Sequence, residues 1–433
     1  MGPAGRLRSR PGLYPRPRSS ANRSPGRPSE RGWETARRCA SLPDLVRLAT
    51  LLWSLAAALT LPAVASPTTL AATAGPRLDK AVGGPRVRTG SARTQTAAPA
   101  PPLTFGIYPG GGAGTIGPGG PTAPEDPTKQ LAALRQLRPA GRPFVLHLYA
   151  SYSGPGSRSP AEQAGQEIAQ YTDAGFQTEL VLTYRPGDHN PAGDVPAFAA
   201  FARSAVHSFG PNPAFVALQV TNEANIGNAP NAADGYYAGA QDALIHGVIA
   251  AKAEARKNGF DQVAVGFNWA YSLDAAETGF WHSLGKRGGA AFRHSLDWVG
   301  LDVYPGTWGP KTAGGDLAAE ATRTMLDSLT TLRSNMLLAG LAPSVPLHVS
   351  ENGYPTGPKR TEAMQVTVMR AAIAAVSAHR TTDTVTDYRW FDLRDADSSH
   401  PSFESGYGLL RDDYTPKAGF AVFRNLVATL GAT

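Results

Sequence analysis

The sequence predicts a closed (β/α)8 barrel, in which eight parallel strands are each followed by a helix, over residues 102–433. Three observations predict it: short apolar runs alternate eight times with longer helical patterns, the helical stretches carry start and stop signals, and polar residues end particular strands. An open, doubly wound sheet is the alternative fold. It would need a phosphate-binding turn or another site at a switch point, and the sequence offers no convincing one.

The strands are predicted from short apolar runs that are rich in β-branched and aromatic residues. They cover residues 103–108, 143–149, 178–184, 215–221, 262–268, 296–304, 346–350 and 386–393. Successive side chains of a strand point to opposite faces. The fourth strand should therefore turn Val216, Leu218 and Val220 toward the helices, and the sixth should turn Gly300, Asp302 and Tyr304 toward the barrel axis.

The helices are predicted from apolar periodicity and from their caps. They cover residues 128–137, 160–174, 195–209, 233–258, 319–339, 361–379 and 416–430, with a less regular fifth helix within 275–292. Ser159, Pro160 and Glu162 form the pattern of an N-cap with a capping box. Thr415-Pro416 repeats the cap-plus-proline pattern. Left-handed C-caps are predicted at the glycines that follow helical runs, Gly175, Gly210, Gly259 and Gly340.

Residues 1–65 are predicted to be a basic leader with a secretory signal. An uncharged stretch from Leu48 to Val64 follows Arg47 and ends in Ala63-Val64-Ala65 before Ser66, the layout of a cleaved signal peptide. We therefore expect a secreted protein without stable membrane insertion. The alternative is a membrane anchor through residues 48–64, which is at the short limit for a span. Residues 66–101 are predicted to be a disordered Ala/Thr/Pro linker, which leaves 102–433 as the single catalytic domain.

The distribution of charge argues against a nucleic-acid partner. The chain carries a formal charge of +7, yet residues 1–95 hold 16 Lys/Arg against 4 Asp/Glu, while the remainder holds 25 against 30. The folded part is thus mildly acidic, whereas nucleic-acid binding requires positive charge on the folded surface.

No metal and no cofactor is expected. Cys39 is the only cysteine, and the nine histidines are scattered without metal-binding spacing. The glycines from Gly110 to Gly114 lack the lysine of a P-loop and the third glycine of a dinucleotide fingerprint.

Two glutamates stand at the ends of predicted strands. The fourth strand ends in Thr221-Asn222-Glu223, and the seventh runs into Ser350-Glu351-Asn352-Gly353. Because the carboxyl ends of these strands lie across the mouth of such a barrel, the two carboxylates are predicted to face each other over a cleft.

These motifs resemble those of the clan of retaining glycoside hydrolases on (β/α)8 barrels, and are similar to the acid/base and nucleophile motifs of family 1 β-glycosidases. Ala224 stands where family 1 has a proline, so the resemblance stays at the level of the clan. It implies Glu223 as acid/base, Glu351 as nucleophile and a carbohydrate substrate with mostly β-linked bonds. It also implies that Asn222 binds the sugar 2-hydroxyl.

Position along the strands gives further candidates for substrate binding. Tyr304 could orient Glu351 through its phenol, Trp390 could form the floor under the sugar, and Asn268 and Trp269 end the fifth strand. Two other functions remain open: a carbohydrate-binding barrel that has lost turnover, and an anchored surface protein for which the barrel is only a scaffold.

Overall fold

The computed structural model describes residues 102–111, 123–186, 193–308, 310 and 316–432. The leader, signal, linker and alternative anchor predicted within residues 1–101 lie outside this part of the chain. Within the described ranges, we find no helix that is both long and apolar enough to cross a membrane.

The eight strands close into a single parallel barrel in chain order. The last strand pairs with the first, with Phe105 opposite Tyr388, which completes the ring. Each strand except the last is followed by a helix that returns the chain to the start of the next strand, and a final helix follows β8. The prediction of a (β/α)8 TIM barrel is confirmed. In chain order the elements are β1 (Thr104–Ile107), α1 (Pro127–Leu137), β2 (Val145–Tyr152), α2 (Pro160–Asp173), β3 (Gln177–Tyr184), α3 (Val195–Phe209), β4 (Phe215–Val220), α4 (Ala240–Asn258), β5 (Ala264–Ala270), α5 (Ala276–Ser295), β6 (Trp298–Asp302), α6 (Leu317–Leu338), β7 (Leu347–Asn352), α7 (Glu362–His379), β8 (Val385–Trp390) and α8 (Ala418–Leu430).

The main apolar core lies between the strands and the surrounding helices. Leu218 and Val220 of β4 are fully buried in it, as the period of two predicts. Gly247 of α4 permits this packing, because a side-chain carbon there would lie 2.6 Å from Val220. The barrel interior is more polar, and the buried Gln219 and Asp302 lie there.

The helix caps are partly as predicted. The Ser159 side chain accepts a hydrogen bond from the backbone of Glu162, and the Glu162 carboxylate accepts one from the backbone of Ser159, so the capping box is present. Gly175, Gly259 and Gly340 have positive φ angles, as left-handed caps do. The prediction for Gly210 is wrong, because its φ is −55°. A side chain there would instead collide with the ring of Phe260, so a close contact explains this glycine.

The predicted cap of the last helix is also wrong. Helix α8 begins at Ala418, with Lys417 at the N-cap position. Thr415 bonds to Asp413 through both its backbone nitrogen and its hydroxyl. It therefore closes a local turn and leaves no hydroxyl for the helix.

The two ends of the barrel meet at its base. Leu103 and Gly431 form a parallel bridge. The backbone nitrogen of Leu103 donates to Leu430 at 3.3 Å, and that of Ala432 donates to Leu103 at 2.8 Å.

Candidate active site

A cavity of about 990 Å³ opens at the carboxyl ends of the strands, the face on which enzymes with this fold carry their active sites. The loops after β5 and β6 add Leu273 and Trp308 to its lining, and both side chains are exposed. Side chains from the carboxyl-terminal halves of the strands or just beyond them also line it, namely Tyr108, Tyr149, Asn222, Glu223, Asp302, Tyr304, Glu351 and Phe391.

Glu223 follows β4 on a strained backbone. The φ angle is 66° at Thr221 and 49° at Glu223, in the left-handed region that costs a side-chain-bearing residue roughly 1–3 kcal/mol. Side chains from neighbouring segments hold this turn. The Asn268 Oδ1 accepts the backbone N–H of Glu223 at 2.8 Å, and the buried Asp234 accepts that of Asn222 at 2.8 Å. Glu223 is thus fixed at the cavity by its backbone.

Glu351 lies on β7 and is only 6% exposed. Its Oε1 accepts a hydrogen bond from the Tyr149 hydroxyl at 2.5 Å, and its Oε2 accepts one from the Tyr304 hydroxyl at 2.6 Å. Burial and the adjacent Glu351 raise the pKa of both phenols, so both keep the protons that they donate. Two donors on two oxygens fix the carboxylate and favour its charged form.

A third carboxylate, Asp302, lies beside these two. One oxygen from each of Glu223, Asp302 and Glu351 lies within 4.8 Å of the others. Asp302 accepts a hydrogen bond from Ser350 Oγ at 2.6 Å and another from Asn268 Nδ2. Asp302 therefore links Ser350, which precedes Glu351, to Asn268, which binds the backbone of Glu223.

The surroundings of Glu223 favour its protonated form. Burial, the charge of Glu351 and the charge of Asp234 together raise the pKa of Glu223 to about 8, although Arg185 acts in the opposite direction. Burial and the two glutamates also raise the pKa of Asp302. At neutral pH, Glu223 therefore carries a proton, while both oxygens of the neighbouring Glu351 accept hydrogen bonds.

The two predicted asparagines have different places. Asn222 lines the cavity; its Nδ2 donates to the Ala232 carbonyl at 3.0 Å, which leaves its second N–H for a substrate. Asn268 is 1% exposed and does not line the cavity. Its Nδ2 donates to Asn222 Oδ1 at 2.9 Å, so Asn268 positions Asn222 and Glu223 and is not in a position to bind the sugar.

The prediction that Trp390 and Trp269 contact the sugar is wrong. Both are fully buried, and neither lines the cavity. Trp390 packs against Phe423 of α8, and Trp269 donates its indole N–H to Glu277 at 2.7 Å. Both rings therefore face the helices, because they occupy the outward positions of their strands.

The sequence prediction missed several cavity residues, among them Phe391 and Tyr149. Phe391, one residue beyond Trp390, lines the cavity and stacks on Tyr108 with ring centroids 4.9 Å apart. Tyr149 belongs to β2, which runs on to Tyr152 beyond the predicted end. The sequence could have predicted Tyr149, since the alternation of side chains along β2 turns it inward together with His147.

The three carboxylates have the spacing of a possible cation site. However, both oxygens of Asp302 and both oxygens of Glu351 already accept hydrogen bonds from neutral donors. These bonds use one of the two lone pairs on each oxygen and hold both carboxyl groups in place through protein donors.

No family model matches the chain, and no curated protein matches it. Solved structures do match the barrel. A GH5_18 protein from Streptomyces cattleya, determined in complex with GlcNAc, aligns with a TM-score of 0.52 and 16% identity over 77% of this chain and 83% of its own. A family 39 glycoside hydrolase from the gut symbiont Bacteroides cellulosilyticus WH2 aligns with a TM-score of 0.51 and 15% identity.

That second match covers 76% of this chain and 64% of the family 39 chain, so this chain spans less than two thirds of that protein. A β-glucosidase aligns with a TM-score of 0.50 and 18% identity over 70% of this chain and 88% of its own. At these identities the likeness concerns the fold: this chain has the barrel fold that these glycoside hydrolases share.

Proposed function

We propose that this protein is a retaining glycoside hydrolase that cleaves O-glycosidic bonds, mostly β-linked, in an oligo- or polysaccharide. The observation that carries the proposal is that one carboxyl oxygen of Glu223 lies within 4.8 Å of one carboxyl oxygen of Glu351 at the cavity, an approach that favours the shorter of the two known separations. Retaining enzymes place their two carboxyl groups about 5–5.5 Å apart, whereas inverting enzymes need about 6.5–9.5 Å to admit a water between them.

The unequal surroundings of the two glutamates assign their roles. Both oxygens of Glu351 accept hydrogen bonds from Tyr149 and Tyr304, which orient the carboxylate for nucleophilic attack. Glu223 holds a proton up to about pH 8, as a general acid must. The same assignment follows from the resemblance of the two sequence motifs.

In the first step, a carboxylate oxygen of Glu351 attacks the anomeric carbon as the bond to the leaving oxygen breaks. That oxygen takes the proton of Glu223, and the sugar remains as an ester on Glu351. Asn222 has a free N–H on the cavity, from which it would bind the 2-hydroxyl as positive charge develops on the ring.

In the second step, Glu223 is an anion and takes a proton from water. The water oxygen bonds to the anomeric carbon, the ester bond breaks, and Glu351 leaves as a carboxylate. Two displacements restore the original anomeric configuration.

The proposal is tested with Glu351→Gln and Glu223→Gln on a panel of glycosides. The panel includes aryl β-glucosides and aryl N-acetylglucosaminides, since two structural neighbours are a β-glucosidase and a protein solved with GlcNAc. Each variant should lose several orders of magnitude in kcat/KM. Glu223→Gln should lose least on dinitrophenyl glycosides, whose leaving group needs no proton. Glu320→Gln on helix α6 is the control and should remain active.

Nuclear magnetic resonance of the first product then decides the stereochemistry. Retention of the anomeric configuration supports the two-step reaction, and inversion would contradict it. A protein that binds sugars and turns none over would be the binding barrel of the alternative hypothesis.

We also propose that the protein is secreted after cleavage behind Ala65. The layout of residues 47–66 supports this. Mass spectrometry of the exported chain should find Ser66 at the mature N-terminus. Recovery of residues 48–64 with the membrane fraction would instead support the anchor.

A further inference from the structure

A line of buried polar side chains extends from Glu351 into the barrel. The Tyr149 hydroxyl, which donates to Glu351, lies 3.0 Å from Nε2 of His147. The Nδ1 of His147 lies 2.5 Å from Glu179 Oε1. Glu179 accepts two further hydrogen bonds from Arg389, each 3.0 Å long. His147, Glu179 and Arg389 are at most 2% exposed, and the two-glutamate chemistry alone assigns them no part.

The donors and acceptors along this line indicate the protonation state of His147. Burial alone would raise the pKa of Glu179, but Arg389 and His147 bring it below its usual range, so Glu179 only accepts and His147 Nδ1 carries a proton. Tyr149 has one hydroxyl proton, which points to Glu351 across the shorter 2.5 Å contact. The phenol oxygen must then accept from His147, so Nε2 carries a proton too.

The contacts of Arg389 favour the same state. Arg389 is shared between Glu179 and Asp387, to which it donates at 2.9 Å. Burial lowers the pKa of His348, the neighbour of Asp387, so this ring adds no charge. With a neutral His147, Arg389 would be the one charged partner of the buried Glu179 among the contacts of the described residues, although Arg389 also binds the half-buried Asp387. Charges removed from water need such compensation.

We propose that His147 is a positioning residue for the nucleophile: an imidazolium that holds Glu351 as an oriented anion through the Tyr149 hydroxyl. Its Nε2 also lies 3.9 Å from Glu351 Oε1, so the charges attract directly. The inference rests on the proposed function for its catalytic meaning, whereas the protonation of His147 can be measured without any substrate.

The first measurement is ¹⁵N–¹H nuclear magnetic resonance of the full chain with labelled histidine at pH 7.5. Loss of a signal in His147→Asn assigns the residue; if that variant does not fold, the signal that moves in Tyr149→Phe assigns it. Both ring nitrogens should be protonated in the wild type. In Glu351→Gln, which lacks the anion, only Nδ1 should keep its proton. A neutral His147 in the wild type, or no change in Glu351→Gln, overturns the proposal.

The second measurement is a double-mutant cycle on an active glycoside. His147→Asn and Tyr149→Phe should each lower kcat about ten- to a hundredfold with little change in KM, because each leaves a buried donor or acceptor of the line unpaired. The double variant should be little worse than the worse single one, since the two residues act as a unit. If the loss in the double variant equals the product of the two single losses, the two residues act independently, and the proposal is contradicted.

His207→Asn is the matched control. His207 also contacts a glutamate, with Nδ1 3.1 Å from Glu254, but its ring is 74% exposed, so kcat should stay at the wild-type level. A wild-type chain without glycosidase activity would refute the proposed function, and the resonance measurement would still decide the state of His147.

Discussion

Replacing Glu223 with glutamine should stabilise the folded barrel at alkaline pH while it removes activity. The pKa of Glu223 rises from an ordinary value of 4.5 to about 8 in the folded protein. One pKa unit corresponds to about 1.36 kcal/mol, so ionising this group in the folded state costs roughly 5 kcal/mol.

The sign of the pH dependence follows from proton binding. Below pH 4.5 both the folded and the unfolded chain hold the proton, and Glu223 does not lower the free energy of unfolding. Between that value and about pH 8 the unfolded chain has lost the proton and the folded chain keeps it, so the free energy of unfolding falls by about 1.36 kcal/mol per pH unit. Above about pH 8 the folded chain loses the proton too, and the free energy of unfolding falls no further because of Glu223. Glutamine does not ionise, so the variant does not lose this stability.

Urea denaturation of the wild type and Glu223→Gln at about pH 5 and pH 9 measures this effect. The stability gained by the variant should be about 4 kcal/mol larger at the higher pH. Glu320→Gln, away from the cavity, should show no comparable change between the two values. A gain for Glu223→Gln that is the same at both pH values would refute the reasoning, since it would mean that the folded protein does not hold Glu223 protonated.

Other predictions concern single contacts. Tyr304→Phe removes one of the two hydrogen bonds to Glu351, worth about 1.5–3 kcal/mol for a charged acceptor, and should lower kcat/KM about 10- to 150-fold; an unchanged value would exclude its orienting role. Trp390→Phe should lower the Tm and leave KM unchanged, because the ring packs against a helix and not on the cavity; a raised KM would contradict this placement. Ser159→Ala should cost about 1 kcal/mol of unfolding free energy in urea through loss of its cap. Gly300→Ala should destabilise by about 1–3 kcal/mol on thermal unfolding, because the new methyl group collides with the Ser350 hydroxyl; wild-type stability would show that the barrel interior yields there.

The order of the elements could be predicted because each strand and helix carries its own local pattern. Runs such as Phe215–Val220 are apolar and β-branched, and breaks such as Gly175 and Gly259 mark helix ends by backbone conformation alone. Glu223 and Glu351 could be placed at the mouth for the same reason, since the end of a strand in such a barrel defines its face.

The errors at the site come from the direction in which side chains point. Asn268 and Trp269 are neighbours on one strand, and neighbours point to opposite faces, so both could not face the interior. The same parity separates Trp390, which faces helix α8, from Phe391, which lines the cavity. An error of one position moves a side chain from the cavity to the core.

Other features depend on contacts between distant parts of the chain. The hydrogen bond from Tyr149 to Glu351 joins residues 202 positions apart. The bidentate contact of Arg389 with Glu179 joins residues 210 positions apart. The reach of these side chains depends on how far adjacent strands are staggered around the barrel, which no local pattern encodes.

The bridge between Leu103 and Gly431 makes the barrel a nearly cyclic object. A short peptide could join the two ends of the barrel. New chain ends could then be introduced in another loop at the base, opposite the mouth. Circular permutation is tolerated where ends meet at a surface and the cut leaves the core intact. Such permutants would carry the same glutamates at the same mouth on a chain that starts at a different strand. The order of Glu223 and Glu351 along the polypeptide therefore depends on where the chain starts. The chemistry at the mouth does not depend on that order.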